Sequence, residues 1–346
     1  MTKVYVGMSG GVDSSLTAAL LKEQGYDVTG VYMKNWTQDL PGMKCPWADD
    51  LADAKRVAVQ LGIDFKVFDF ENEYKQKVVN YMIDEYKLGR TPNPDIMCNQ
   101  EVKFKIFLET ALEDGADMIA TGHYARVENG ELKMALDTNK DQTYFLYRVS
   151  GEALQKTLFP LGEYTKPVVR EMAKERGLYT AAKKDSQGIC FVGQIGIREF
   201  LSQYVEQKAG PIIDKVSGRV LGQHDGAIFY TLGQRHGLDV GGGLPYYVVG
   251  KDMDKNEVYV TTNLNDDGLW KPELRLESVH WINDAPVEGT YKVRMRHRAP
   301  LISAQLRFED EEVHLVLDSP ERAIAPGQSV IIYSEDTCVG GGILAS

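Results

Sequence analysis

Val4-Tyr5-Val6 is a short apolar run ending at a glycine, and Leu16, Ala19 and Leu20 follow it at helical spacing. The pattern predicts a strand, a glycine turn and a helix opening at Ser14. The same alternation then repeats. Val28–Met33 reads as a second strand, and Asp49 to Leu61 as a helix with Leu51, Ala54, Ala58 and Leu61 on one face. Phe65–Phe70 reads as a third strand, Tyr74–Gly89 and Phe104–Asp114 as helices, and Met118–Thr121 as a further strand. Strands alternating with helices imply an α/β fold, a parallel sheet covered by helices on both faces.

From about residue 200 the period shortens. Ala227–Thr231, Tyr246–Gly250, Glu257–Thr261, Tyr291–Met295, Val313–Leu317 and Ser329–Tyr333 read as short strands punctuated by Gly and Pro. Spacing of this kind predicts small β units, a central one and a C-terminal barrel. The expected division is 1–197, 198–272 and 273–346, the second boundary placed at Pro272 after the turn signals of Asn263–Gly268.

The chain has 346 residues, 43% of them hydrophobic and 26% charged, an ordinary globular balance. No apolar run approaches the roughly 20 residues that cross a bilayer. The opening Met-Thr-Lys-Val-Tyr runs straight into the first strand, which leaves no room for a signal peptide. Cys45, Cys98, Cys190 and Cys338 are far apart and lack metal-ligand spacing, so no metal is expected. Reduced thiols and a cytoplasmic location follow as expectations. A net charge of −11 argues against a protein that coats nucleic acid generally, though a local basic patch attracts phosphate whatever the total. One such patch is legible in Lys292, Arg294, Arg296, His297, Arg298 and Arg307, and the alternating members would share a strand face. A solvated strand face fits it equally well.

The run Met8-Ser9-Gly10-Gly11-Val12-Asp13-Ser14-Ser15 carries more chemistry. Glycines bring backbone N–H groups close to a ligand, and a helix N-terminus favours an anion. A loop that cleaves ATP at its γ-phosphate would carry a Lys after its last glycine, and none is present. Such a lysine-free cradle suits ATP whose pyrophosphate leaves as a unit. Ligands of open parallel sheets lie beyond the carboxyl ends of the strands. Met33 and Thr121-Gly122-His123-Tyr124 are expected there beside the glycine loop.

Two further segments hold cysteines in functional company. Arg90-Thr91-Pro92-Asn93-Pro94-Asp95-Ile96-Met97-Cys98-Asn99 reads as a proline-stiffened loop, with Asp95 and Cys98 close enough to share a site. Lys184-Asp185-Ser186-Gln187-Gly188-Ile189-Cys190-Phe191 presents a second thiol, with Lys183 and Lys184 upstream to favour its thiolate. Inert packing is the alternative for each, and it is the reading for Cys45 and Cys338.

Taken together, these motifs with Lys140-Asp141-Gln142, Tyr230-Thr231-Leu232-Gly233-Gln234-Arg235, Pro326-Gly327-Gln328 and Gly340-Gly341-Gly342 resemble the tRNA-specific 2-thiouridylases. These belong to the PP-loop ATP pyrophosphatases, and the likeness covers essentially the whole chain. The resemblance implies that Gly7, Met8, Ser9, Gly10, Gly11, Val12, Asp13, Ser14, Met33 and Gly122 hold ATP, with Mg²⁺ bridging its phosphates. It implies that Asn93, Pro94 and Asp95 meet a flipped-out wobble uridine. His123, Lys140, Asp141, Gln142, Arg296, His297 and Gln328 would contact the tRNA. It further implies that the uridine C2 oxygen is adenylated, and that a sulfur-carrier protein or other persulfide donor loads Cys190. Cys98 would then attack the inner sulfur, with Asp95 moving the proton. Another PP-loop adenylating enzyme is the alternative, and it would need neither cysteine.

Overall fold

Tyr5 packs on one face of the first sheet while its neighbours Val4 and Val6 pack on the other, as the two-residue period of a strand requires. The computed structural model describes residues 1–39, 45–184, 196–241, 243–310 and 312–345. The sheet is built from β1 (Lys3–Gly7), β2 (Asp27–Lys34), β3 (Asp64–Asp69) and β4 (Met118–Ala120). After a hairpin, β5 (Arg126–Glu128) and β6 (Glu131–Lys133), β7 (Thr157–Leu158) completes it. The order is β3-β2-β1-β4-β7, all parallel. Strand order reverses between β1 and β4, which opens a crevice at their carboxyl ends.

Val4, Val6 and Val28 bury against α1 (Val12–Glu23) and α2 (Trp47–Leu61) through Ala18, Leu21, Ala54 and Val57. Tyr5, Val31 and Ile119 face two longer helices on the opposite side. The first, α3, runs on through Glu71–Tyr74, Lys75–Asn80 and Tyr81–Lys87, its middle stretch being π-helical. The second, α4, runs through Pro94–Met97, the π-helical Cys98–Ile106, and Phe107–Glu113. The face Leu16, Ala19, Leu20 predicted for α1 packs on α5 (Lys166–Glu175) rather than on the sheet, so α1 is buried almost all round.

The central unit pairs β8 (Gly210–Asp214), β9 (Val220–His224), β10 (Tyr247–Asp252) and β11 (Glu257–Thr261) in the order β10-β11-β8-β9. Ala227–Thr231, expected as a strand, instead holds a 3₁₀ turn at Ala227–Phe229. Its backbone is satisfied locally: Ala227 N donates to Asn256 Oδ1, and Tyr230 N to Ala227 O. No ladder partner is needed.

The last unit comprises β12 (Trp270–Trp281), β13 (Gly289–Arg294), β14 (Ile302–Glu309), β15 (Glu312–Arg322), β16 (Ser329–Ser334) and β17 (Thr337–Leu344). Pairing of β12 with β17 closes six strands into a barrel around Leu274, Val293, Leu315 and Ile332. Pro272 sits inside β12 at the register shift between Lys271 and Glu273, where a residue without an N–H is tolerated. The hairpin β5–β6 also joins this sheet, by pairing β6 with β17.

Candidate active site

Gly10 has φ +72°, and a Cβ there would lie 2.4 Å from the Asp50 carbonyl oxygen. Only glycine lets the loop after β1 turn this tightly against α2. From the other side of the crevice Gly122 touches the start of α1. A Cβ on it would lie 2.8 Å from the Ser14 amide nitrogen. Met33, at the end of β2, covers Gly7, with its methyl 2.9 Å from where a Cβ would stand. Ser14 Oγ accepts from Ser9 N at 3.2 Å and holds the loop's curl. The Gly11 cap has no side-chain partner, so the first turn of α1 presents its N–H groups to the crevice. A polyphosphate fits this cradle by charge and by the space the glycines leave.

Two lysines distant in sequence stand around the loop. Lys166 Nζ lies 2.7 and 2.8 Å from the two Asp13 carboxylate oxygens, and Tyr124 Oη donates to the same carboxylate at 2.8 Å. Lys183 bridges Asp50 at 2.8 Å and Asp53 at 2.7 Å. Burial works against its charge, yet the two carboxylates outweigh that and hold its pKa above the usual range. Lys183 is therefore committed to α2. The segment it introduces, Asp185–Phe191 with Cys190, lies outside the described residues. Lys166 was not legible as a site residue, although a lysine at the first position of a helix opposes the dipole and asks for a partner.

The segment 90–99 is a loop only as far as Asn93. Asn93 caps α4, its Oδ1 accepting from Asp95 N at 3.1 Å and Ile96 N at 3.4 Å, and Pro94 takes the first helical position. The expected loop and the later helix start at Phe104 are thus corrected: the proline that stiffens a loop also opens a helix. Asp95 and Cys98 come to one helical face by their three-residue spacing. Cys98 is buried and begins the π-helical stretch, a distortion frequent at functional sites. Burial pushes the Asp95 carboxyl up, and the Lys103 cation opposes the rise. Next to Cys98, buried Asn99 donates to Phe145 O at 2.9 Å and leaves its Oδ1 without a partner. Phe107 of the same helix reaches Gly7, so the thiol-bearing element abuts the end of β1.

Three family models match in succession. A "tRNA methyl transferase HUP domain" covers residues 2–194, a "tRNA methyl transferase PRC-barrel domain" 198–262, and an "Aminomethyltransferase beta-barrel domain" 271–344. The tRNA-specific 2-thiouridylase MnmA of Geobacillus thermodenitrificans is 48% identical over 99% of this chain and 94% of its own length. That of Bacillus thuringiensis strain Al Hakam is 49% identical over the same shares. The chain belongs to the tRNA-specific 2-thiouridylase family. A solved 4-thiouridine synthetase–RNA complex with bound ATP matches 58% of this chain and 50% of that one at 20% identity, with a TM-score of 0.38, too loosely to bear on function.

Within this 2-thiouridylase the expected tRNA contacts separate into two groups. His123 is buried between Phe104 and Phe159, its Nδ1 2.7 Å from Thr121 Oγ1. Burial holds it well below the usual histidine range, so it is neutral. Asp141 is 1% exposed and pairs with Arg294 at 2.8 Å, joining the first unit to the barrel. Gln142 Oε1 accepts from Tyr124 N, 18 residues earlier, and Gln328 Oε1 accepts from Ala325 N, closing a local turn. Each of these side chains makes a bond within the fold. Lys140 and His297 are half-exposed and Arg296 is exposed. The basic patch is corrected likewise: Arg294 points inward, and Arg296 and Arg298 lie beyond the end of β13. Cys45 and Cys338 are both buried, and burial pushes both thiols up. Among the described residues no three His, Cys, Asp or Glu side chains gather as a metal site, and no helix is long and apolar enough to cross a membrane.

Proposed function

We propose that this chain replaces the C2 oxygen of the wobble uridine (position 34) of tRNA by sulfur, giving 2-thiouridine, AMP and pyrophosphate. The observation that carries the reading is near-half identity to curated 2-thiouridylases over 99% of the chain, both cysteine motifs included in its length. ATP supplies the adenylyl group that makes the poor oxide leaving group a good one, and Mg²⁺ would screen its phosphates. The Gly7–Ser14 loop would hold the triphosphate, with Met33 and Gly122 beside the nucleoside. Asn93, Pro94 and Asp95 would receive the base, which leaves its stack at a cost of a few kcal/mol.

Cys190, carrying a persulfide from a sulfur-carrier protein or another donor, brings the incoming sulfur. Cys98 thiolate would attack the Cys190 sulfur, forming a Cys98–Cys190 disulfide and releasing hydrosulfide onto C2. A reductant must then reopen that disulfide each turnover. Asp95, its carboxyl raised by burial, is suited to hold and return a proton beside Cys98. Lys140, Arg296 and His297, which keep exposed surface, would contact the tRNA, and a cytoplasmic location accords with the chemistry of reduced thiols.

The test is nucleoside mass spectrometry of unmodified tRNA incubated with the protein, ATP, Mg²⁺ and a persulfide donor. The expected result is 2-thiouridine at the wobble position, lost in Cys98→Ser and Cys190→Ser. AMP formed with tRNA but no thiolation, unaffected by either substitution, would instead support another PP-loop adenylating enzyme.

A further inference from the structure

Asp13 presents a difficulty for a loop that binds polyphosphate. It lies in the first turn of α1, inside the cradle, with its side chain 31% exposed. A carboxylate there repels the anion that the helix N-terminus attracts. We propose that Lys166 is the positioning residue that resolves this conflict: it cancels the Asp13 charge and so makes the loop competent for polyphosphate. The inference rests on the reading of the loop as an ATP site.

The geometry supports a dedicated counter-charge. Lys166 Nζ engages both Asp13 oxygens at 2.7 and 2.8 Å and sits 5.8 Å from the centre of the Tyr124 ring. The Lys166 side chain is only 10% exposed, so solvent screens the pair weakly. Its backbone is anchored as well, since Lys166 N donates to Asp137 Oδ2 at 2.8 Å. Asp137 itself organises the turn before Asp141, accepting from Asn139 N and Lys140 N. Lys166 thus enters the cradle from a fixed point, 153 residues along the chain from the carboxylate it neutralises. It supplies from another element the positive charge that the loop's own sequence omits.

A merely structural ion pair and a counter-charge predict different outcomes. Breaking a structural pair from either side does the same harm. Removing a counter-charge and removing the charge it cancels act with opposite sign on anion binding. The experiment is calorimetric titration of the full-length protein with ATP, the metal chelated by EDTA so that only polyphosphate charge is read. Lys166→Met is expected to weaken binding at least about tenfold, Asp13→Asn to leave it equal or tighter, and Asp13→Asn/Lys166→Met to return within about threefold of the unaltered protein. Lys166→Arg should stay within about fivefold, because it keeps the charge.

Thermal melts accompany each variant. Should Lys166→Met fail to fold, Asp13→Asn still decides the sign. Asp13→Asn weakening ATP as Lys166→Met does, or Lys166→Met binding normally, overturns the proposal while leaving the ATP reading intact. A double variant as weak as Lys166→Met also overturns it, since the lysine would then act on the phosphate itself. No ATP binding by the unaltered protein under EDTA overturns the proposal, and none with Mg²⁺ restored overturns the ATP reading as well.

Discussion

At the scale of single residues, burial has two opposite uses in this cleft. His123 is held neutral among Phe104 and Phe159, whereas Asp95 is held protonated more readily than an exposed carboxyl, as the proposed proton transfer would need. The second case has a stability signature. A carboxyl raised on folding favours the folded state at low pH, and that advantage is lost as pH rises through the raised value. Asp95→Asn cannot ionise, so it is expected to melt higher than the unaltered protein above that window and to lose the difference below it. Thiolation by the same variant should fall at least about 100-fold, the usual contribution of a positioned proton donor. Melting curves against pH and single-turnover assays check the two halves. The tight glycine turn after β1 and the closeness of Asp95 to Cys98 were legible because turn and spacing rules are local. Lys166 was not, because its meaning depends on a partner 153 residues away. The internal bonds of Asp141, Gln142 and Gln328 were not legible either, because sequence does not reveal which partners the fold brings to a polar side chain.

Among the elements, α4 decides most. Its start was hidden by two prolines that read as a loop, although Asn93 followed by Pro94 is also a cap with a proline at the first helical position. The first four strands of the parallel sheet and the helices between them were clear from their periods, whereas β7, α5 and the 3₁₀ turn at Ala227–Phe229 were not. The turn's apolar run mimics a strand, and what distinguishes it is the hydrogen bond Ala227 N gives to Asn256 Oδ1 together with the turn bond from Tyr230 N to Ala227 O. Asn93 carries a double duty that can be separated. Its Oδ1 is spent on the helix, and in the proposed reaction the amide nitrogen would be the atom that meets the base. Asn93→Ala is expected to cost about 1 kcal/mol in chemical denaturation, whereas Asn93→Asp keeps the cap and the stability. Thiolation should drop in both, because neither retains the donor.

For the whole molecule, the three units are stitched at several places. Arg294 of the barrel reaches Asp141 of the first unit, both nearly fully buried. Arg294→Met leaves that carboxylate unpaired and is expected to cost about 3–5 kcal/mol in urea unfolding. Arg294→Met/Asp141→Asn should recover most of it, since the amide can still serve Ala135 N and Thr143. The second stitch is the approach to α4. Thr91 N donates to Pro326 O at 2.8 Å, Thr91 Oγ1 meets Thr231 Oγ1, and Arg90 pairs with Glu277 at 2.6 Å, so all three units fix the residues that lead into Cys98. The hairpin β5–β6 ties the halves a third way, and it carries a timetable. Strand β6 finds its neighbour β17 only after about 200 more residues have been made, roughly 10–40 s at ordinary ribosome speed. Throughout that interval Leu132, fully buried at the end, waits beside an open strand edge. The nascent chain therefore reaches its last dozen residues with its first domain still unfinished, and early release from the ribosome leaves a sticky fragment rather than a small working one.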